Sequence, residues 1–451
     1  MKKEENGMWV RSQFEGISLG DKRLNSRVKL IASNMMADPS ASIPQQNKTW
    51  KDIKGSYRFF DSKRVVFDDL IRPHVELTKK EIEKRKLILA IQDTCYITYS
   101  HHRSVKGLSK LGNESSKAGG IVLHNTLAVD PTKSYPEVIG VLDQHIHNRN
   151  KISDKDDGWK ESKLWEEASQ RIHIENSKTR IIEIMDREGD VFDIMQNCLS
   201  LKHDFVIRAM NDRRLNDLSE DKLFDLIKSL KLSGVVELKV RKKPGQIPRK
   251  ALLNVSFSKV ALCGPKNRKN ETIECNVIYV LEKEPPKGQE PLEWVLLTSV
   301  GVNSFEDACQ VIEWYKCRWI IEEYHKCIKS GCKVEEKQLK KEFRIENFLG
   351  IANIVAVRLL QLRDAARLTP KISAKKIIDP LKINILLKYN KIKKKDITIY
   401  EYYRIVAKMG GFLGRKSDGE PGWQTLWKGE TILMLLVEGA RMALSGGVSY
   451  G

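Results

Sequence analysis

Two apolar, β-branched runs that each deliver a carboxylate constrain this chain most. KLILAIQDTCYITYS, starting at Lys86, carries Asp93 within it, and RIIEIMDREGD, starting at Arg180, runs into Asp186. Such runs read as strands buried on both faces, which requires helices to cover a sheet. An unpaired carboxylate buried there costs several kcal/mol, so each Asp needs a partner or a function. Capping the turn after the strand is one answer. Metal coordination is the other, since magnesium is held by a few carboxylates together with substrate phosphates.

Around these runs the pattern changes along the chain. Residues 1 to about 70 read as helical and basic: Asp21 can cap a helix through KRLNSRVKLIASNMM, with Leu24, Val28 and Ile31 on one face and Arg23, Arg27 and Lys29 elsewhere. Pro39 and Pro44 interrupt, and Thr49 restarts a helix before WKDIKGSYRFF. Two basic helices joined by a loop suit DNA, as they also suit a solvated surface. HNTLAVDPTKSYPEVIGVLDQHI reads as two strands about the turn Asp130-Pro131, then SKLWEEASQRIHI as a helix. VFDIMQNCL and DFVIRAM complete a strand-rich start that passes into α/β alternation. From about 214 to 285, VVELKVRKK, KALLNVSFSKVAL and TIECNVIYVLEK read as an antiparallel set. Its first hairpin is made very basic by Lys239, Arg241, Lys242, Lys243, Arg249 and Lys250. EWVLLTSV returns to a buried strand, and from Ser304 onward the chain is mostly helical with a loop from Gly410 to Gly422.

The third acidic element lies in VIEWYKCRWIIEEYHKCIK. Tyr315, Arg318, Glu322 and Lys329 are offset by 0, 3, 7 and 14 residues. On a continuous α-helix they fall within an arc of roughly 60° and form a polar stripe about 21 Å long. Arg318 and Glu322 are also spaced for a surface ion pair. With the two strand aspartates, however, Glu322 could complete a set that holds two divalent ions about 3.5–4 Å apart for chemistry at phosphorus. Tyr315, Arg318 and Lys329 would then grip phosphates. The charge agrees with a polyanionic partner: 79 Lys plus Arg against 59 Asp plus Glu leave +20, and neutralising phosphates releases condensed counterions. The 41% hydrophobic and 31% charged fractions exclude a largely disordered chain. No uninterrupted apolar stretch approaches the ~20 residues of a membrane span, and the opening MKKEENGMWVRSQFEG lacks the apolar core of a signal peptide. The eight cysteines include no Cys-x-x-Cys pair, as expected of reduced packing thiols rather than structural zinc. A cytosolic protein is expected.

With these residues in view, the chain resembles the IS-four group of bacterial DDE transposases, close to the Tn-five type. Tyr315, Arg318, Glu322 and Lys329 fit the Tyr-x2-Arg-x3-Glu-x6-Lys motif of that family. Ile91-Gln92-Asp93-Thr94-Cys95-Tyr96 and Asp186-Arg187-Glu188 fit its first and second aspartate segments. LGDKRLNSRV looks like its N-terminal DNA-binding segment and GGFLGRKSDGEPGWQTLW like its C-terminal region. The resemblance implies an α/β fold with an RNase H-like catalytic core over about 71–365, interrupted by the β-rich insertion. A helical DNA-binding domain (1–70) and a helical dimerisation domain (366–451) would flank it. The 136-residue step from Asp186 to Glu322 leaves room for that insertion. It further implies Asp93, Asp186 and Glu322 as catalytic ligands of two Mg2+ ions, which Mn2+ could replace, and cut-and-paste transposition through a hairpin. DNA contacts would come from Tyr315, Arg318, Lys329, Arg23 and Arg27, with Trp294 holding a flipped base, unless Trp294 is simply a core residue beside VLLTSV. Expected partners are transposon terminal repeats, target DNA and a second copy of the chain in the DNA complex. The C-terminal helix from about Leu426 to Leu444 would offer Leu426, Ile432, Leu433, Leu436 and Val437 for packing. The expected place of action is the bacterial nucleoid. A metal-dependent nuclease that cannot join strands, and a DNA-binding relic without catalysis, are the alternatives.

Overall fold

The computed structural model describes residues 9–47, 49–99, 104–111, 119–147, 161–216, 222–240, 249–268, 270–415 and 418–445. Arg241, Lys242 and Lys243 of the basic hairpin lie outside the described residues.

Three longer helices lead the described residues, with short helical turns before and between them: α1 (Lys22–Ala37), α2 (Trp50–Phe60) and α3 (Phe67–Ile82). Asp21 caps α1, accepting from the Arg23 N–H at 2.8 Å, and Thr49 caps α2, accepting from the Asp52 N–H. The first run forms β1 (Leu87–Thr98), followed by β2 (Gly119–Asp130), β3 (Glu137–His147), helix α4 (Lys163–Ile172), β4 (Arg180–Met185), α5 (Phe192–Ser200) and β5 (Asp204–Arg208). These strands lie in the order β3–β2–β1–β4–β5. β1, β4 and β5 are parallel, whereas β2 and β3 are antiparallel to their neighbours. This is the expected RNase H-like core, with helices on both faces.

Period-two arithmetic explains why the runs look continuously apolar. Leu89 and Ile91 of β1, Ile182 and Ile184 of β4, and Val206 of β5 point to one face and join the main core. Ile88 and Ala90 point to the other, against Ile82 and Ile172 of the covering helices.

The inserted strands β6 (Gly234–Val240), β7 (Arg249–Cys263) and β8 (Thr272–Glu282) do not form a separate sheet. The returning strand β9 (Glu293–Thr298) pairs antiparallel with both β5, at Leu297↔Ile207, and β8, at Trp294↔Val280. The sheet therefore continues β5–β9–β8–β7–β6, ten strands among the described residues once the two-residue Ser109–Lys110 is counted.

The helical remainder begins with α6 (Phe305–Lys316), capped by a Ser304/Asp307 box, then α7 (Trp319–Lys326) and the long α8 (Glu342–Leu368). By length and composition Glu342–Asp364 could cross a membrane, but 72% of its apolar window is buried inside the protein. It is the core helix onto which α1 and α2 dock. Val28, Met35, Phe59 and Phe60 share one core with Phe348, and Asn347 donates to the Phe60 carbonyl at 3.1 Å. The N-terminal helices thus have no core of their own.

The last three helices, α9 (Pro380–Tyr389), α10 (Ile399–Met409) and α11 (Trp423–Ser445), do have one. It is built from Ile383, Leu386, Ile399, Tyr402, Val406, Leu433 and Val437. Leu433 and Val437, expected on a packing face, are spent inside this unit, while Leu435 on the same helix is 71% exposed.

Candidate active site

The same alternation that buries Leu89 and Ile91 puts Asp93 two residues on, on the same face. Ile182 and Ile184 lead to Asp186, and Val206 leads to Arg208. Three adjacent parallel strands therefore each present a polar group towards the helices α6 and α7, Asp93 from the middle of β1 just past its parallel pairing, Asp186 and Arg208 from the carboxyl ends of β4 and β5. Asp93 Oδ1 accepts from the adjacent Thr94 N–H within β1, and Asp186 Oδ1 caps the following 3₁₀ turn by accepting from the Glu188 N–H, each at 2.8 Å.

Tyr315, Arg318, Glu322 and Lys329 do not lie on one straight helix. The chain tightens between α6 and α7, where the N–H groups of Cys317 and Arg318 bond carbonyls three residues back, and loosens after α7 into a π-turn over Cys327–Gly331 that contains Lys329. The 100°-per-residue reckoning fails at both places, because a 3₁₀ step turns further and a π step less. The tight turn projects Arg318 at the sheet. Its Nη1 lies 3.8 Å from Asp93 Oδ2, and its Nη2 donates to Glu322 Oε1 at 2.5 Å. One guanidinium thus joins the carboxylates of a strand and a helix.

Tyr315, 5% exposed, meets the half-buried Trp294 of β9 edge to face, with ring centroids 5.5 Å apart. Burial raises the Tyr315 phenol pKa, and the charges of Arg318 and Arg208 beside it oppose that rise, while Arg208 Nη2 donates to the Glu293 carbonyl at 2.8 Å. Burial lowers the Arg208 pKa from the usual guanidinium value, Tyr315 works against that fall, and the charges of Arg187 and Arg318 add to it. Lys329 lies along the same face, near enough for its charge to act on Cys95 and His325. Arg208 and the His325 neighbourhood escaped the sequence reading, and Arg187 entered it only as part of the Asp186-Arg187-Glu188 segment. A lone Arg at a strand end carries no mark in one sequence, and only the alternation of β5 could have pointed to it.

Electrostatics favours a cation here. Burial, followed by the negative charge of Asp186, pushes the Asp93 carboxyl up to about 7, with Arg318 opposing and Glu322 adding to the rise. Carboxylates that repel one another in a partly desolvated cleft are an oxygen donor set suited to a hard divalent ion. Among the described residues, however, no three His, Cys, Asp or Glu side chains stand together closely enough to hold one as they are. Of the three carboxylates that the sequence offers for two ions, Glu322 is paired with Arg318, whose guanidinium also faces Asp93. The donors fit, but Glu322 has to exchange Arg318 for the ion.

The proposed end-binding arginines lie apart from this cleft. Arg23, whose side chain is 91% exposed, pairs with Asp21 at 2.9 Å. Arg27 is 23% exposed and pairs with Asp52 at 2.8 Å, tying α1 to α2. The outward side of α2 carries Trp50, 67% exposed, with Lys54 over its ring at 5.1 Å.

Comparison with known proteins agrees with this geometry. Residues 6–65 match the family described as transposase DNA-binding, 123–358 the transposase DDE domain, and 354–449 the transposase Tn5 dimerisation domain. The DDE span starts after Asp93, so that residue joins the site through geometry alone. Among solved structures, the chain is similar to the cryo-EM structure of a piggyBac transposase synaptic complex with hairpin DNA. Identity is 11% and the TM-score 0.33, over 99% of this chain and 74% of that one, a likeness too distant to bear on the assignment. With the DDE match covering more than half of its length, the chain belongs to the DDE transposases of the Tn5 type, DNA-binding and dimer-forming enzymes that cleave and join DNA with the help of divalent metal.

Proposed function

We propose that this transposase binds the terminal repeats of its own element and moves it by cut-and-paste chemistry. Ends would be cleaved through a hairpin and then joined to target DNA. The observation that carries this reading is the convergence of Asp93 and Glu322, from a strand and a helix, on Arg318, with Asp186 of the next strand close enough for its charge to act on Asp93. In it, the three carboxylates are the catalytic ligands of magnesium, for which manganese can substitute. Bound there, the ions supply charge neutralisation and an activated nucleophile for displacement at phosphorus.

The chain's own groups do the rest. Arg318 leaves Glu322 for a DNA phosphate, which frees the Glu322 carboxylate for the metal and replaces one ion pair with two. Tyr315, Arg208 and Lys329 hold neighbouring phosphates, so that the scissile bond stays in line. Trp294, half-buried in T-shaped contact with Tyr315, is the ring on which an extruded base would stack.

In this reading residues 1–70 grip the repeat. Arg23 and the outward face of α2 touch phosphates, and Arg27 holds the two helices in register instead. Residues 71–365 carry catalysis, with the 214–285 insertion extending the binding surface, and 366–451 bring two copies together on DNA. Acting on chromosomal DNA, the protein works in the bacterial nucleoid.

The test supplies a precleaved 3′-end of the repeat, a supercoiled target plasmid and Mg2+. Joined product supports the transposase. A plasmid that is nicked but never joined would favour a simple nuclease, and specific binding without any cleavage a regulator.

A further inference from the structure

Behind the carboxylates lies a buried polar network that the chemistry above does not use. Asn125 of β2 stands directly opposite Asp93 in the antiparallel ladder, and it is 0% exposed. Its Nδ2 donates to the Leu123 carbonyl at 3.1 Å and to His325 Nε2 at 3.0 Å. His325 lies on α7, one turn beyond Glu322. Asn125 Oδ1 accepts from Gln144 Nε2 of β3, which also reaches Tyr324 Oη at 3.1 Å. Gln144 Oε1 accepts from Asn353 Nδ2 of α8 at 2.8 Å, and Tyr324 Oη donates to the Asn353 carbonyl at 3.3 Å.

The donor directions are mutually consistent. Asn125 must present its N–H group to His325, because its oxygen serves Gln144, so His325 accepts through Nε2 and carries its proton on Nδ1. The surroundings enforce this neutral form: burial, then the charges of Lys329 and Arg318, hold the imidazole down at about 3. Apolar side chains of similar volume would fill this space without specifying direction. A directional network across two strands and two helices, in which Asn125 and Gln144 use both ends of their amides, favours one placement of α7 over the sheet.

We propose that Asn125 and His325 are positioning residues. Their hydrogen bond fixes the height and rotation of the helix bearing Glu322 over the strand bearing Asp93, and so the geometry in which the two carboxylates share a divalent ion. The proposal rests on the assignment of Asp93 and Glu322 as metal-binding carboxylates. Neither positioning residue needs to touch DNA or metal. Each sits one ladder pair or one helical turn from a group that does, where a displacement of about 1 Å can cost 10²-fold in rate.

The experiment uses the full-length protein bound to a labelled terminal-repeat duplex. Mn2+ affinity is read by electron paramagnetic resonance, and single-turnover nicking across a Mg2+ series. The variants are His325→Leu, His325→Gln, Asn125→Ala and the Asn125→Ala/His325→Leu pair. End binding stays as in the wild type. His325→Leu weakens Mn2+ binding and slows nicking, each by roughly tenfold or more. His325→Gln, whose Oε1 can accept from Asn125, recovers most of both, and the double variant is no slower than the slower single one. Equal losses in His325→Leu and His325→Gln, or a double variant whose loss is the product of the singles, would overturn the bridge and leave only packing. If His325→Leu does not fold, Asn125→Ala against His325→Gln makes the same comparison. Failure of the underlying assignment would look different: Glu322→Gln would then still cleave, whereas a dead Glu322→Gln beside a normal His325→Leu sinks the bridge alone.

Discussion

Acid will loosen this protein through His74, and a His74→Gln variant will lack that part of the loss. His74 sits on α3, 2% exposed, and joins three segments. Its Nε2 accepts from the Val141 N–H of β3 at 3.1 Å, and its Nδ1 donates to Gln13 Oε1 of the N-terminal segment at 2.5 Å. The ring is therefore neutral, and burial lowers its pKa from 6.5 to about 4. Because the folded value is depressed, the unfolded chain takes up the proton first. Stability conferred by the neutral ring is intact above pH 6.5 and drains away as pH falls from 6.5 to about 4, after which both states are protonated and the loss stops. At about 1.4 kcal/mol per pH unit, that interval amounts to about 3 kcal/mol. Urea unfolding at several pH values between 7.5 and 4 reads it, with wild type and His74→Gln compared at each pH. Other histidines, such as His124, titrate alike in both proteins and cancel. Wild type should lose about 3 kcal/mol more than the variant over that range. Parallel curves would refute the argument, and with it the claim that this ring is held neutral by the fold.

Further outcomes follow from the same contacts. Arg23→Ala should leave the melting temperature unchanged, weaken binding to the repeat and reduce the slope of log affinity against log salt by about 1. Arg27→Ala should lower the melting temperature instead, since its Asp52 partner ties α1 to α2. Where α10 crosses α11, a Cβ on Gly429 would lie 1.7 Å from the Val406 carbonyl oxygen. That obstacle is backbone and cannot swing aside, so Gly429→Ala should cost about 2–3 kcal/mol and reduce dimer formation on DNA, read by unfolding and by sedimentation of the DNA complex. Chelating divalent ions should abolish nicking while repeat binding persists in a gel-shift assay.

The sequence showed the elements more clearly than their joining. The apolar, β-branched runs that carry Asp93 and Asp186, and the helix starts at Asp21 and Thr49, are read locally, because each rests on residues within a few positions. The merging of the insertion with the core sheet was not legible, since the pairing of Leu297 with Ile207 spans ninety residues and leaves no local trace. The break at Cys317–Arg318 was missed for another reason. A 3₁₀ step changes no residue type, and its aim at Asp93 is set by tertiary packing. Likewise the partner of Arg27, a residue that the family resemblance puts among the DNA contacts, is Asp52, twenty-five residues away, and nothing local announces that pairing. Asn125 and His325 look like ordinary polar residues until the ladder sets one opposite Asp93 and the helix puts the other one turn past Glu322.

The assignment of the site is tested most directly by a labelled duplex carrying the element's terminal repeat, incubated in Mg2+ with wild type or Glu322→Gln and run on native and denaturing gels. Wild type should cut at the repeat boundary and give a hairpin-sized product, while Glu322→Gln binds the repeat as tightly and leaves it whole. Cleavage by Glu322→Gln at the wild-type rate would contradict the account.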